Sequence, residues 1–445
     1  MRPPNPRRAA ALLLPLGVAA LTDLVFLPSL HYGFLKWDDG AYVRDCLAIR
    51  ALDVGLLRWA FLHVDVFWQP LTFLSLALDY HFWGLTPSGY RATNMALHAL
   101  NTCLVYFLTV RLAGLRAGSR GEPPASRLLA GAAAACFFAW HPLRVESVVW
   151  IAERKDVLYA SFFLAGMLFY LRENRRLGLC LGCFALALAS KPMALSLPLV
   201  LLASDYYPLR RKDVRAALVE KLPFFVLAAA AALLFALISR PGQGPMTIAP
   251  AVRLDTMVRE PAFYLWKWLR PTGLAPLYPL PLTPPPLGRA FYGSAVFLAA
   301  VTGLCLRLAP RTRLPMAAWL YYLATLLPAF IFVGDRVTYL PGLGPLWAAT
   351  AAAGSLYSRL DRPWKKGVLL AATGVWLAAL TAATEAQEAV WKDDVSLWSR
   401  EVSVYPDFPD GHVNLAAAYV DAGRIMDAAR EFILSNRLNS AQKKP

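Results

Sequence analysis

At 445 residues, 58% of them hydrophobic and only 17% charged, the chain is too apolar for an ordinary soluble domain and too apolar for a disordered one. Its net charge of +16 would suit nucleic acid, but the lysines and arginines fall in short clusters between apolar runs, which excludes a continuous nucleic-acid face. Six cysteines, five of them inside apolar runs, exclude a disulfide framework, and Cys180-x-x-Cys183 reads as helix packing.

Taken in chain order, apolar runs occupy 9–30, 90–110, 128–140, 157–171, 177–190, 193–203, 222–238, 290–308, 315–333, 340–357 and 367–383. A bilayer crossing takes roughly 20 apolar residues. The pattern predicts an α-helical polytopic membrane protein with about eleven transmembrane helices, the short fifth and sixth runs forming a broken or re-entrant pair. The first run follows Arg2, Arg7 and Arg8 as a signal peptide would. It is longer than a usual signal core, and no small-x-small cleavage site follows, so a retained anchor is expected.

Basic clusters recur at Arg2/Arg7/Arg8, Arg111/Arg116/Arg120/Arg127, Arg172/Arg175/Arg176, Arg210/Arg211/Lys212/Arg215/Lys221, Arg307/Arg311/Arg313 and Arg359/Arg362/Lys365/Lys366. Each adjacent pair encloses two runs, so the positive-inside rule places all six on the cytoplasmic side. The N-terminus is then cytoplasmic and the C-terminal tail lies outside. The Ala/Arg/Pro-rich composition suits a bacterium with a GC-rich genome, making the membrane the inner one and the outer side the periplasm.

The loops left outside carry most of the residues able to do chemistry. The first, 31–89, opens on Trp37-Asp38-Asp39 and is dense in Trp and Tyr, as expected of helices lying in the interface. Paired carboxylates beside a membrane mark reaction or transport sites, and the competing reading is a solvated acidic connector. His141 to Asp156 breaks the third run and opens the fourth, bringing Arg144, Glu146, Glu153, Arg154 and Lys155 with it. On one helix Arg154 and Asp156 diverge by roughly 200°, so one should face a cavity and the other the headgroups. Lys191-Pro192 interrupts the fifth and sixth runs, where a cation and freed backbone donors suit an anionic ligand. Asp335-Arg336 caps another run, and Asp23, Asp79 and Asp205 read as structural.

The loop 240–289 is proline-rich and cannot be one regular helix; a helical core is expected near 261–269. From Trp391 the pattern turns amphipathic. The segment around Asn414–Tyr419, Gly423, Ala428-Ala429 and Phe432 fits a tetratricopeptide helix–turn–helix, with His412 where Trp is usual, and 395–405 reads as the closing helix of a preceding unit. The expected organisation is a membrane domain, 1–389, and a tetratricopeptide-like tail, 390–445. One repeat cannot bury its own face.

Several segments resemble the transmembrane-and-tetratricopeptide (TMTC-like) protein O-mannosyltransferases and their bacterial relatives, of the GT-C glycosyltransferase class. They are Trp37-Asp38-Asp39, Trp68-Gln69-Pro70-Leu71, Asn94-x-x-x-His98-x-x-Asn101, the run His141-Pro142-x-x-Val145-Glu146-Ser147-Val148-Val149-Trp150-Ile151-x-Glu153-Arg154-Lys155-Asp156, Lys191-Pro192-Met193 and Asp335-Arg336-Val337-Thr338-Tyr339. The resemblance implies transfer of a sugar, mannose in the family, from a polyprenyl- or dolichyl-phosphate carrier to Ser/Thr hydroxyls of proteins on the outer side. Transfer to a lipid or polysaccharide acceptor is the runner-up, and a lipid-sugar flippase ranks lower. On this reading one of Asp38 and Asp39 is the general base, while the other orients the acceptor or holds a divalent cation (Mn or Mg). No other cofactor is implied. Arg154, Lys191 and Arg336 are the candidates for holding the lipid phosphate, supported by His141, Arg144, Glu146, Lys155, Asp156 and Asp335. Partners are the lipid-linked sugar, a protein or glycan acceptor and the membrane lipid, with no nucleic acid.

Overall fold

Prolines, glycines and charged pairs inside the apolar runs decide where each helix stops. A computed structural model describes residues 6–62, 68–118, 123–238, 249–279, 288–329 and 334–442. Within these residues every regular element is helical. In chain order they are α1 (Pro6–Phe26), α2 (Val54–Leu62), α3 (Pro70–Trp83), α4 (Pro87–Arg116), α5 (Ala125–Ala139), α6 (Val145–Val149), α7 (Arg154–Tyr170), α8 (Leu177–Ser190), α9 (Leu197–Tyr206), α10 (Val214–Ile238), α11 (Pro250–Leu269), α12 (Arg289–Leu308), α13 (Leu314–Leu326), α14 (Leu343–Arg359), α15 (Pro363–Glu388), α16 (Asp394–Val404), α17 (Pro409–Asp421) and α18 (Ile425–Gln442).

The multi-pass membrane class stands, with fewer full-length helices than the eleven apolar runs. Among the described residues five helices are long and apolar enough to span, six if α5 and the segment Pro142–Val149, bent by 62°, make one broken span. The shortfall has a physical cause. Apolar runs 5, 6 and 9 fold into helices of only 10–17 residues, and a 14-residue helix reaches only about 21 Å of a roughly 30 Å hydrocarbon layer. Lys191-Pro192 does break α8 from a 3₁₀ turn, Pro192–Ser196, that leads into α9. The helix around residue 261 is longer than expected, running the whole of α11 with Pro261 inside it. Pro241, Pro245, Pro281, Pro284, Pro285 and Pro286 of the proline-rich loop, Arg120, and the end of the ninth run lie outside the described residues.

The centre of the molecule is α4, which packs on α1, α5 and α7. One face carries Arg91, Asn94, His98 and Asn101, spaced three or four apart and fully buried. They serve carbonyls at or beside the breaks in the neighbouring backbone. Arg91 Nε donates to Val149 O at 3.0 Å, and its terminal nitrogens donate to Tyr32 O and Gly33 O. Asn94 Nδ2 donates to Val148 O (3.1 Å) and Trp150 O (3.2 Å), and Asn101 Nδ2 to Val157 O (2.8 Å). His98 Nδ1 meets Tyr339 OH at 2.7 Å. The stripe therefore holds the broken segment between α5 and α7 in place.

The tail is docked on this body. Trp391 and Trp398 belong to the same buried cluster as Trp150. Arg400 Nε donates to Leu274 O (2.9 Å), Leu277 N donates to Glu401 Oε2 (3.0 Å), and Lys36 pairs with Asp421 at 2.5 Å. α17 and α18 form the expected helical hairpin, with Gly423 at φ +73° in its turn, a conformation that favours glycine. α16 packs on α17 as the preceding helix.

Arg154 is buried where α3, α4 and α7 meet. It pairs with Asp79 (2.5 Å) and donates further to Ser75 Oγ (2.8 Å), Tyr90 O (2.8 Å) and Asn94 Oδ1. Breaking a buried pair leaves an uncompensated charge, which costs about 3–5 kcal/mol. Asp79→Leu is therefore expected to lower the thermal midpoint in detergent sharply, and Asp79→Leu/Arg154→Met to recover much of the loss. A single variant as stable as the parent would contradict this role.

Candidate functional site

Four separate backbone breaks converge. Irregular backbone over residues 32–37, after a 3₁₀ turn (Leu27–His31) at the end of α1, delivers Asp38 and Asp39. The turns Pro142–Arg144 and Ile151–Glu153 bracket α6 and deliver Glu146 and Glu153, and the start of α7 delivers Lys155 and Asp156. The α8/α9 break delivers Lys191, and the 3₁₀ turn Asp335–Thr338 delivers Asp335 and Arg336. The residues lie far apart in sequence, and they meet because breaks free side chains from the helix period.

Glu153 is the hub. Its carboxylate takes Lys155 Nζ at 3.1 Å, Lys191 Nζ at 3.3 Å and Arg336 Nε at 3.3 Å. Lys191 also pairs with Asp156, whose second oxygen accepts from Ser147 Oγ at 3.1 Å. Arg336 pairs with Glu146, whose other oxygen accepts the Arg336 backbone N–H at 2.8 Å. A Cβ at Gly334 would lie 2.8 Å from Arg336 Nη1 and 3.2 Å from Glu146 Oε1, so a side chain there would have to displace this pair. Lys155 Nζ also sits 4.4 Å from the centre of the Tyr42 ring. The sequence reading gave Glu153 no role. Its one signal was its place in the Glu-Arg-Lys-Asp run, and the cations that meet on it come from three different elements.

The two aspartates are not equivalent. Asp39 is fully buried, and its oxygens accept backbone N–H groups from Leu35 (3.0 Å) and Ala152 (2.9 Å). It staples the first loop to the turn before α7. Asp38 is only half-buried and interacts electrostatically with Lys155, Glu153 and Arg336. Trp37 stacks on Trp150 at 4.5 Å and also meets Trp398 at 5.3 Å, so the tail packs against the residue next to Asp38. Within the cluster Asp38, Lys191 and Arg336 keep partial exposure, while Asp39, Glu146, Glu153, Lys155, Asp156 and Asp335 are buried.

Three expected site residues do not join the cluster as read. Arg154, proposed to hold phosphate and expected to face either a cavity or the headgroups, is enclosed in protein with its Nε and both terminal nitrogens engaged. It points away from Asp156, because the two leave α7 on opposed faces. His141 caps its own turn, Nδ1 accepting from Leu143 N and Nε2 donating to Trp268 O at 3.0 Å. Arg144 donates to Thr338 O at 2.8 Å between the rings of Phe138 and Tyr339. Both brace the backbone behind the cluster. Asp335 and Arg336 are not an internal pair: Asp335 accepts from Tyr278 OH at 2.5 Å. A divalent cation on Asp38 and Asp39 does not fit the donor set. Asp39 already accepts two N–H groups, and among the described residues no group of three His, Cys, Asp or Glu side chains is placed to hold a metal.

Burial lifts the Asp38 carboxyl above its usual range, with Lys155 opposing and Glu153 adding to the shift. Burial lifts Asp39 to about 6 against its two amide donors. Burial first, and then the charge of Glu146, push Asp335 up to about 7.

The chain was compared with known proteins. No family model matches it. It is 34% identical over 185 residues to protein O-mannosyl-transferase Tmtc1 of Drosophila melanogaster, covering 39% of this chain and 20% of that protein. It is 33% identical over 110 residues to protein O-mannosyl-transferase TMTC4 of Homo sapiens, covering 24% and 15%. The chain thus spans a fifth or less of the length of these curated relatives. Among solved structures it is similar to ArnT from Cupriavidus metallidurans bound to undecaprenyl phosphate, at 18% identity over 95% of this chain and 75% of that one, with a TM-score of 0.38.

The raised Asp39 carboxyl links stability to pH. Its folded pKa lies above the unfolded value, so its contribution is full below about pH 4 and is lost as pH rises through about 6, roughly 3 kcal/mol for a shift of about two units. Thermal midpoints measured at pH 5 and pH 7 should fall more steeply in the parent than in Asp39→Asn. Identical pH slopes would show that Asp39 does not titrate as described.

Proposed function

We propose that this chain, a TMTC-like relative of the protein O-mannosyl-transferases by the matches above, is a membrane glycosyltransferase of the GT-C kind. On this reading it moves a sugar, mannose by analogy, from a polyprenyl-phosphate carrier to Ser/Thr hydroxyls of proteins on the non-cytoplasmic side. One observation carries the proposal. In an otherwise buried charge cluster, the three side chains that keep access are one carboxylate, Asp38, and two cations, Lys191 and Arg336. An accessible base in the same cluster as two accessible cations is what a hydroxyl attacking a phosphate-linked carbon needs.

Asp38 takes the proton from the acceptor hydroxyl as its oxygen bonds to the anomeric carbon. The bond from that carbon to the phosphate oxygen breaks, and the electron pair leaves on the lipid phosphate. Lys191 and Arg336 receive that charge. Before the donor arrives Glu153, Asp156 and Glu146 hold both cations in position, so little reorganisation is needed at the moment of transfer. Asp39 acts through the backbone, setting the height of Asp38 relative to Ala152. No step requires a divalent cation.

The positive-inside pattern supports a cytoplasmic N-terminus, with the cluster and tail on the periplasmic face of a bacterial inner membrane. Protein rather than lipid or polysaccharide as acceptor rests on the relatives' names alone.

Asp38→Asn is expected to lower transfer by about 10²–10⁴-fold while leaving donor binding and the thermal midpoint unchanged. The parent's rate should fall as pH drops through a carboxyl pKa above the ordinary value of 3.8. Full activity in Asp38→Asn would sink the assignment. Lys191→Met and Arg336→Gln should each cost on the order of a hundredfold in rate. Mass spectrometry of outer-side proteins and glycolipids from cells with and without the chain identifies sugar and acceptor together. Sugar gained on glycolipid alone would overturn the protein acceptor and leave the transferase reading standing.

A further inference from the structure

A second polar site lies at the far end of α7 from the charge cluster. α7 has 17 residues, so its ends are about 25 Å apart, close to one hydrocarbon thickness. Beyond Tyr170 the loop Arg172-Glu173-Asn174-Arg175-Arg176 turns back into α8, and Arg176 N donates to Phe169 O at 3.2 Å. Between this loop and α4 is a cavity of about 430 Å³ lined by Arg111, Arg172, Glu173, Asn174 and Arg176.

The arginines around it are sorted by partner. Arg111 Nε donates to Leu171 O at 2.8 Å, which fixes its guanidinium at the cavity wall. Arg175 turns away, 3.4 Å from Glu220 and over the Tyr170 ring at 5.1 Å. The guanidinium side chains of Arg172 and Arg176 have no hydrogen bond or ion pair among the described residues, and both residues are exposed. Three guanidinium groups against one carboxylate, Glu173, leave the cavity with a net charge of +2. Tyrosine rings meet arginines at the neighbouring helix ends too: Tyr170 with Arg175, Tyr206 with Arg313 (5.3 Å) and Tyr207 with Arg210 (5.7 Å). Tyr beside Arg at the ends of apolar helices is characteristic of the headgroup layer of a bilayer. A basic pocket there recognises a phosphodiester through guanidinium forks, while the lipid tails run along the adjoining apolar helices.

We propose that this cavity binds the phosphate headgroup of an anionic phospholipid in the leaflet on the basic-loop side, opposite the charge cluster. It would anchor α4 and α7, the two helices that carry the cluster's framework, at a fixed depth in the membrane. The inference does not depend on the reaction proposed above.

Native mass spectrometry of the full chain in detergent tests this, with phosphatidylglycerol or phosphatidylcholine added at equal concentration. The parent is expected to retain phosphatidylglycerol preferentially. Arg172→Gln/Arg176→Gln should reduce that retention about tenfold. Arg175→Gln, which alters the loop's charge outside the cavity, should leave it near the parent level. Equal retention of the two lipids, or equal loss in Arg175→Gln and the double variant, would overturn the proposal. A parallel titration with inorganic phosphate separates the two sources of the same chemistry. Saturable binding that the double variant loses, without preference for phosphatidylglycerol, would assign the cavity to a free anion and overturn the lipid assignment.

Discussion

The structure depends on satisfying the carbonyls of a backbone that breaks inside the bundle. Between α5 and α7 the chain passes through two short 3₁₀ turns and one five-residue helix, all buried. In a membrane each unsatisfied backbone group costs several kcal/mol, so irregular backbone survives only where protein supplies donors. Arg91, Asn94 and Asn101 on one face of α4 supply them to Val148, Val149, Trp150 and Val157. The same arginine reaches Tyr32 and Gly33, so the loop ahead of Asp38 is tied to the same helix. The residues of the charge cluster depend on the polar stripe of α4 for the placement of their backbone.

With the backbone held, charge can be buried at tolerable cost. Lys155, Lys191 and Arg336 each have a carboxylate partner, and Glu153 serves all three. Pairing with good geometry offsets the desolvation of each ion, and removing any one member leaves the others exposed to the full penalty. The cluster is therefore a scaffold in which the buried carboxylates Glu146, Glu153 and Asp156 hold Lys191 and Arg336, the two cations that keep partial exposure. Asp38 stands apart as the one carboxylate of the group with partial exposure.

The tail enters this arrangement through aromatic packing. Trp398 meets Trp37, and Trp391 meets Trp150 at 5.4 Å, so the segment that follows α15 packs against both the first loop and the turn before α7. Glu401 takes the Leu277 N–H from the segment after α11. A single helical hairpin cannot bury its own apolar face, and here the body of the protein covers part of it. The tail is accordingly part of the cluster's support as well as a surface beside it.

Much was legible without coordinates because it rests on short-range chemistry. Long apolar runs with alternating basic loops predict a multi-pass helical protein, Lys191-Pro192 predicts a helix break, and Gly423 predicts a turn. The charged residues on one set of loops predict a site there, and most of them meet. Other features depended on tertiary structure. Hydropathy counts residues but not helix length, so among the described residues only five or six of the eleven apolar runs form helices of full span length. Side-chain period within α7 separates Arg154 from Asp156, but only packing shows that Arg154 is spent on Asp79. The sequence Asp38-Asp39 is symmetric in chemistry, and only the amides of Leu35 and Ala152 separate an anchor from an accessible carboxylate. Local sequence determined which residues are charged and where helices break. Tertiary structure decided which charges are satisfied, because hydrogen-bond partners come from elements far apart in the chain.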